Sequence, residues 1–216
     1  MPQPFPAWSD ALARVVLSIV AALLVGVPLF LMWWTRTPYV TEQFAQVAQP
    51  VAFDHRHHVV DDGIDCEYCH QEVERSPYAG VPATDTCLNC HSQIWNDSPA
   101  LKVVWQSDRS RRPIAWQRVT YLPDFVFFNH SMHVRSGVGC ETCHGRVDEM
   151  PRVFQVEPMT MRWCLDCHRE PERYLRPREA VTVMGYVPNR PQRELGAELM
   201  RAYGVRRLTT CTTCHR

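Results

Sequence analysis

The hydropathy of this chain changes character once. Residues 15–35, VVLSIVAALLVGVPLFLMWWT, run for 21 positions without a charge. As a helix this stretch is about 31 Å long, against a bilayer hydrocarbon core of roughly 30 Å. Trp8 lies ahead of it, and Trp33, Trp34 and Tyr39 lie at or past its far end, as aromatic belts do at the two membrane interfaces. Pro28 falls inside the run and is tolerated in lipid where local geometry re-satisfies the freed carbonyl. Arg14 can snorkel at the near edge. A cleaved secretory signal has an apolar region of roughly 7–15 residues followed by small residues. This run is longer and ends in Met-Trp-Trp-Thr-Arg. The pattern therefore predicts a short N-terminus at 1–14, a retained transmembrane helix at 15–35 and a polar linker at 36–52, with a helical turn around Glu42–Ala48.

Beyond the linker, periodicity is weak. Glu194–Tyr203 reads as a helix, with Leu195 and Leu199 on one face and Gly204 as its stop. Ile114–Tyr121 reads as β-like. Seventeen prolines against nine glycines suit a chain with little regular structure.

A short pattern then recurs five times: Cys66-Glu-Tyr-Cys69-His70, Cys87-Leu-Asn-Cys90-His91, Cys140-Glu-Thr-Cys143-His144, Cys164-Leu-Asp-Cys167-His168 and Cys211-Thr-Thr-Cys214-His215. Cys-x-x-Cys-His is the attachment signature of c-type haem. The two thiols add across the vinyl groups, and the adjacent imidazole becomes the proximal iron ligand. All ten cysteines are used. Zinc ribbons or a disulfide framework would not require a histidine after every second cysteine. The expected cofactors are five covalent haems c, with His70, His91, His144, His168 and His215 as proximal ligands.

About 36 residues per haem remain once the apolar block is set aside. So little chain cannot bury five porphyrins in a conventional core, so the haems must form the core themselves. The expected fold is a mainly irregular and α-helical multihaem cytochrome c with one N-terminal transmembrane helix. Because c-type ligation takes place outside the cytoplasmic membrane, the haem domain at 53–216 is expected on the periplasmic side and residues 1–14 in the cytoplasm.

The haem region repeats internally. Phe53-Asp-His55-Arg-His57-His58-Val59 ends seven positions before Cys66, and Phe128-Asn-His130-Ser-Met-His133-Val134 ends six before Cys140. A second motif follows each copy, giving two-haem modules at 53–91 and 128–168, an insertion at 92–127 and a fifth haem in 169–216. Five six-coordinate irons need ten ligands. The repeat-matched His55, His58, His130 and His133 are the expected distal ones. The last distal position is left among Met161, Met159 and His57, or that iron is five-coordinate. Methionine there would raise one haem's potential above the others.

Lysines and arginines number 23, balanced by 23 acidic residues, and all but Lys102 are arginine. Arginine suits haem propionates, although a biased genome composition gives the same ratio. The run Arg109-Ser-Arg111-Arg112 is either a propionate or partner contact, or a solvated loop. No net basic charge or aromatic-basic stripe points to nucleic acid. No acid–base pair or nucleophile constellation is visible.

The Phe-x-His-x-x-His-Val segment ahead of Cys-x-x-Cys-His resembles class III multihaem cytochromes. That resemblance implies that His55 and His130 cap the haem following each, while His58 and His133 reach others. A resemblance over most of the chain rests on the single anchor, Leu122-Pro-Asp-Phe125 leading into Phe128-Asn-His130, Met161-Arg-Trp-Cys164-Leu-Asp-Cys167-His168-Arg169 and a terminal Cys-x-x-Cys-His-Arg. These are similar to the pentahaem cytochrome subunits of alternative complex III. The resemblance implies a non-catalytic electron-transfer subunit of a quinol-oxidising respiratory complex that delivers to a periplasmic acceptor. It also implies partners: an iron–sulfur subunit related to molybdopterin enzymes, quinol-binding membrane subunits and a monohaem cytochrome c. The alternative is a stand-alone membrane quinol dehydrogenase feeding a periplasmic reductase. Such proteins usually carry four haems and lack the double histidine repeat.

Overall fold

The computed structural model describes Phe5, Pro6 and Trp8–His215, and the chain divides into a unit ending at Glu42 and a second unit beginning at Gln43. The first unit is dominated by α1, Trp8–Trp34, whose 27 residues extend about 40 Å. It is long and apolar enough to cross a membrane, and none of its residues is buried. It begins ahead of the uncharged run because Asp10 sits in its first turn, where the helix dipole favours an acid, and pairs with Arg14 one turn later at 2.8 Å. At the other end the Thr35 hydroxyl and the Arg36 guanidinium donate back to the Leu31 and Met32 carbonyls. Trp34 stacks on Phe30 at 6.0 Å and meets Tyr39 at 5.3 Å. The short helix α2 occupies Pro38–Thr41, earlier than the turn expected at Glu42–Ala48. Pro38 suits a helix start, and positive φ at Glu42 and Phe44 (58° and 63°) stops continuation.

The second unit is a sequence of short helices: α3 Cys66–Cys69, α4 Thr84–His91, α5 Lys102–Ser110, α6 His130–Arg135, α7 Cys140–His144, α8 Met161–Arg169, α9 Gln192–Tyr203 and α10 Cys211–Cys214. Among the described residues there is no strand. Isolated β-bridges join Val126 to His215 and Val138 to Leu175. Ile114–Tyr121, expected to be β-like, is irregular: the Trp116 amide turns back onto the Ile114 carbonyl at 2.9 Å, and among the described residues the stretch has no strand partner. The Gln49 side-chain amide takes both backbone groups of Gln117, at 2.9 Å each, where a strand would have paired.

Buried apolar residues form three small clusters. Val138, Leu175, Leu195 and Leu199 make one; Val51, Leu101 and Val104 a second, against which Ile114 and Trp116 pack; Val73, Val134 and Val181 a third. Helix α9 buries the Leu195/Leu199 face expected from its spacing and ends at Gly204 with φ 67°. Gly196 on the same helix lies against the Glu172 carbonyl, and a Cβ there would overlap backbone. Gln192 clamps this contact by donating to the Glu172 and Leu175 carbonyls. Gly196→Ala must push α9 off the turn at 171–173. It is expected to destabilise the protein by about 1–3 kcal/mol, the usual range for overpacking, read as a lowered melting temperature of the haem-loaded chain.

Candidate functional site

Each Cys-x-x-Cys-His is helical in its first turn, which places both cysteines on one face and brings the following histidine back over the first. The His70 and His215 amides accordingly donate to the Cys66 and Cys211 carbonyls at 2.9 Å each. Caps fix where these turns begin. The Asp65 carboxylate accepts from the Glu67 amide, and the Thr160 hydroxyl accepts from the Trp163 amide.

The histidine tautomers are set by backbone carbonyls. His70 Nδ1 meets Gly80 O at 2.8 Å, His91 Ile94 O at 3.2 Å, His168 Leu208 O at 3.0 Å and His215 Phe125 O at 3.2 Å. In the repeats, His58 meets Asp54 O at 3.0 Å, His130 Pro77 O at 2.8 Å and His133 Asn129 O at 2.8 Å. A carbonyl only accepts, so each Nδ1 carries the proton and each Nε2 keeps a free lone pair, the arrangement a metal-ligating imidazole needs. His55 differs: its Nδ1 is buried without a partner. His57 differs again, with Nδ1 at 2.8 Å from Asp61 and Nε2 at 3.9 Å from Asp54.

The two repeats coincide in geometry. Phe53 meets His55 edge-on at 4.8 Å and stacks on His58 at 4.4 Å; Phe128 does the same with His130 at 4.7 Å and His133 at 4.5 Å. The first copy is one residue further from its motif, and there the chain runs as a π-helical turn, Arg56–Asp61, instead of the α-turn of α6. A π-turn absorbs one additional residue without displacing its neighbours.

Rings from the repeats face rings from the motifs. His58 and His91 have centroids 6.1 Å apart, His133 and His168 6.0 Å, and His130 and His144 6.3 Å. A metal–nitrogen bond of about 2 Å on each side, plus the half-width of each ring, sets two imidazoles about 6 Å apart across one ion. The donor set therefore fits an iron held from two opposite sides. Among the described residues no three His, Cys, Asp or Glu side chains converge as a bare-ion site. The planes of His130 and His144 are nearly parallel at 6°, whereas both other pairs are crossed at 66°.

Desolvation favours the neutral form of the motif histidine His144 and of His55, His130 and His133 in the repeats. It pushes His144 down to about 4, with further lowering from His130, His70 and His55. His55 falls to about 4 by desolvation and by the neighbouring His70 and His58. His130 and His133 are lowered chiefly by desolvation. The thiols show which motifs adjoin. Cys143 is raised to about 12 by desolvation and then by Cys167 and Cys164, while Cys164 is raised by desolvation and then by Cys214. The neighbouring Cys66 and Cys140 thiols shift each other in opposite directions, Cys66 down and Cys140 up.

Among the described rings neither His70 nor His215 faces another imidazole at such a distance; Phe125 lies beside His215 at 5.7 Å. Met161 is exposed in the first turn of α8, and Met159 has a left-handed φ of 49°. The Arg109–Arg112 run closes α5, with Arg111 left-handed and only a 3.7 Å contact to Asp108. Several arginines already hold protein carboxylates. Arg146 binds Asp148 at 2.6 Å and Glu149 at 2.8 Å, and the buried Arg176 binds Glu141 at 2.7 Å. Sequence reasoning did not find that last pair, because Glu141 occupies one of the two unspecified positions of its motif.

Two comparisons bear on this geometry. Residues 33–115 match the class III cytochrome c family, and residues 126–216 match the family of cytochrome c7 and related cytochromes c. The chain is a multihaem c-type cytochrome. Each family match contains one of the two histidine repeats and its two motifs. The cytochrome is also 34% identical over 128 residues to the multihaem cytochrome c subunit of a menaquinone reductase from Nitratidesulfovibrio vulgaris strain Hildenborough. That match covers 59% of the cytochrome and 56% of the relative, so the chain spans little more than half of that relative's length.

Proposed function

We propose that the cytochrome carries five haems c, one at each Cys-x-x-Cys-His, and relays electrons from quinol oxidation to a periplasmic acceptor as a subunit of a membrane respiratory complex. Its α1 anchors it in the cytoplasmic membrane, with the second unit on the periplasmic side. The observation that carries this reading is the likeness to a menaquinone reductase subunit, which makes a menaquinol the first donor to test. Haem c, when bound, supplies a one-electron iron couple whose potential its axial ligands help to set. The chain's own part is to hold the ligands. His55 serves with His70, His58 with His91, His130 with His144 and His133 with His168. His57 is held by acids on both nitrogens and does not ligate. The sixth ligand beside His215 is Met161 or Met159, both close in sequence to Cys164, whose thiol is electrostatically coupled to Cys214. Partners are those of a complex resembling alternative complex III: an iron–sulfur subunit, quinol-binding membrane subunits and a monohaem cytochrome c.

Mass spectrometry of the assembly, gently solubilised from native membranes, tests the complex. Recovery with those partners supports it. Recovery alone or with a single soluble reductase favours a stand-alone quinol dehydrogenase. The ligand pairs have their own test in electron paramagnetic resonance of the oxidised protein. Crossed imidazole planes give a strongly axial low-spin signal with one large g value, and parallel planes give a rhombic one. At least two axial signals, from the His58/His91 and His133/His168 pairs, and one rhombic signal, from His130/His144, are expected. A spectrum of rhombic signals alone would contradict the pairing.

A further inference from the structure

We infer that the chain sets its five attachment sites in the spatial order second, first, third, fourth, fifth, and that the segment 176–185 is the positioning element joining the first site to the third. The inference rests on one attached haem per motif, as proposed above, and deepens it by naming which sites are neighbours.

Within each module the repeat itself makes the join. His55 and His58 share one turn around Phe53, and His58 faces His91 of the second motif. Asn89 of that motif also donates to the Tyr68 hydroxyl of the first at 3.0 Å. His130 and His133 likewise share Phe128, one facing His144 and the other His168. The first and second sites therefore adjoin, and so do the third and fourth.

The modules meet through their first motifs. Adjacent carbonyls of one segment receive both leading cysteines: Val181 O accepts the Cys140 amide at 2.9 Å, and Cys66 Sγ lies 3.9 Å from Thr182 O. The Thr182 hydroxyl donates to Asp65 at 2.8 Å, just ahead of Cys66. Glu141, just after Cys140, accepts from Arg176 at 2.7 Å and from the Gly185 amide at 2.6 Å. The loop after the first motif also fixes a ligand of the third, because Pro77 O accepts both the amide and the Nδ1 proton of His130.

The fifth site hangs from the fourth. Leu208, three residues ahead of Cys211, accepts the His168 Nδ1 proton, and Arg207 donates to the Arg169 carbonyl at 2.8 Å. The two motifs most distant in this order, the second and the fifth, carry the two exposed cysteines, Cys90 and Cys211.

Nuclear Overhauser spectroscopy of the fully reduced, haem-loaded full chain in detergent tests the order. Cross-peaks between haem substituents are expected for the second/first, first/third, third/fourth and fourth/fifth pairs. Their absence for first/third, or cross-peaks linking the second site directly to the third or fourth, would overturn it. Thr182→Val removes the bond to Asp65 while keeping side-chain shape, and is expected to weaken the first/third cross-peaks and leave third/fourth intact. Thr182→Ser, which keeps the hydroxyl, is expected to restore them. Unchanged first/third cross-peaks in Thr182→Val would overturn the positioning role of the segment. Fewer than five sets of haem methyl resonances would instead sink the five-haem reading, so the two failures are distinguishable.

Discussion

Prepared without haem attachment, the full chain is expected to lose its near-ultraviolet circular dichroism and to show no cooperative thermal transition. The reason lies in how little the polypeptide buries by itself. Its apolar clusters hold three or four side chains each. A fully buried Val or Leu stabilises by about 1.5–3 kcal/mol, whereas each ordered residue costs about 1–2 kcal/mol of backbone entropy. Clusters of that size can fasten a turn to its neighbour, as Leu195 and Leu199 fasten α9, but they cannot hold a unit running from Gln43 to Arg216. The histidine pairs sharpen the argument. Rings 6.0–6.3 Å apart with their nitrogen lone pairs free gain nothing from each other; the proposed iron between them would make each pair a cross-link. The check is expression of the unaltered sequence in cells lacking c-type haem ligation, followed by a thermal melt against the haem-loaded protein. A sharp transition in the haem-free chain would show that the polypeptide has a core of its own.

Much of this arrangement was legible in the residues, and what was not has a physical reason. The five motifs and the two Phe-x-His-x-x-His-Val segments are local patterns, and local patterns survive into structure: Phe53 and Phe128 sit between their histidines at nearly identical distances. The apolar run and the Leu195/Leu199 spacing are equally local. The one-residue difference between repeats was visible as a number, but its resolution as a π-turn at Arg56–Asp61 depends on where the following motif must sit. Ile114–Tyr121 misled because β propensity describes a half-buried extended chain and says nothing of a partner strand; here Gln49 takes that role. The acceptors of the histidine protons had no signature at all. Gly80, Pro77, Leu208 and Phe125 act through backbone carbonyls, which every residue possesses. The segment 176–185 is hard to see for a similar reason, since it works partly through the carbonyls of Val181 and Thr182 and partly through Thr182 and Arg176 side chains whose partners are far away in sequence.

Replacing a distal histidine should have the largest functional effect of any single substitution, and His130 is the residue to choose. Its ring is the parallel member of the set, at 6° to His144, so its spectroscopic signature is separable from those of the crossed pairs. It is also held at two points by Pro77 O, so its removal leaves the His133 turn anchored through Asn129 and Ser131. In His130→Met a thioether replaces a nitrogen donor and favours the reduced iron. One of the potentials should rise by a sizeable fraction of the roughly 0.8 V that axial ligands span, while the others shift far less. The rhombic low-spin signal should disappear in the same variant, and imidazole added to His130→Gly should bring it back. His57→Met is the matched control. His57 lies in the other repeat at the position Met132 holds here, and both its nitrogens already face Asp61 and Asp54, so all potentials should stay near their starting values. Five unchanged potentials in His130→Met, with the rhombic signal intact, would remove His130 from the ligand set and with it the equivalence of the two repeats.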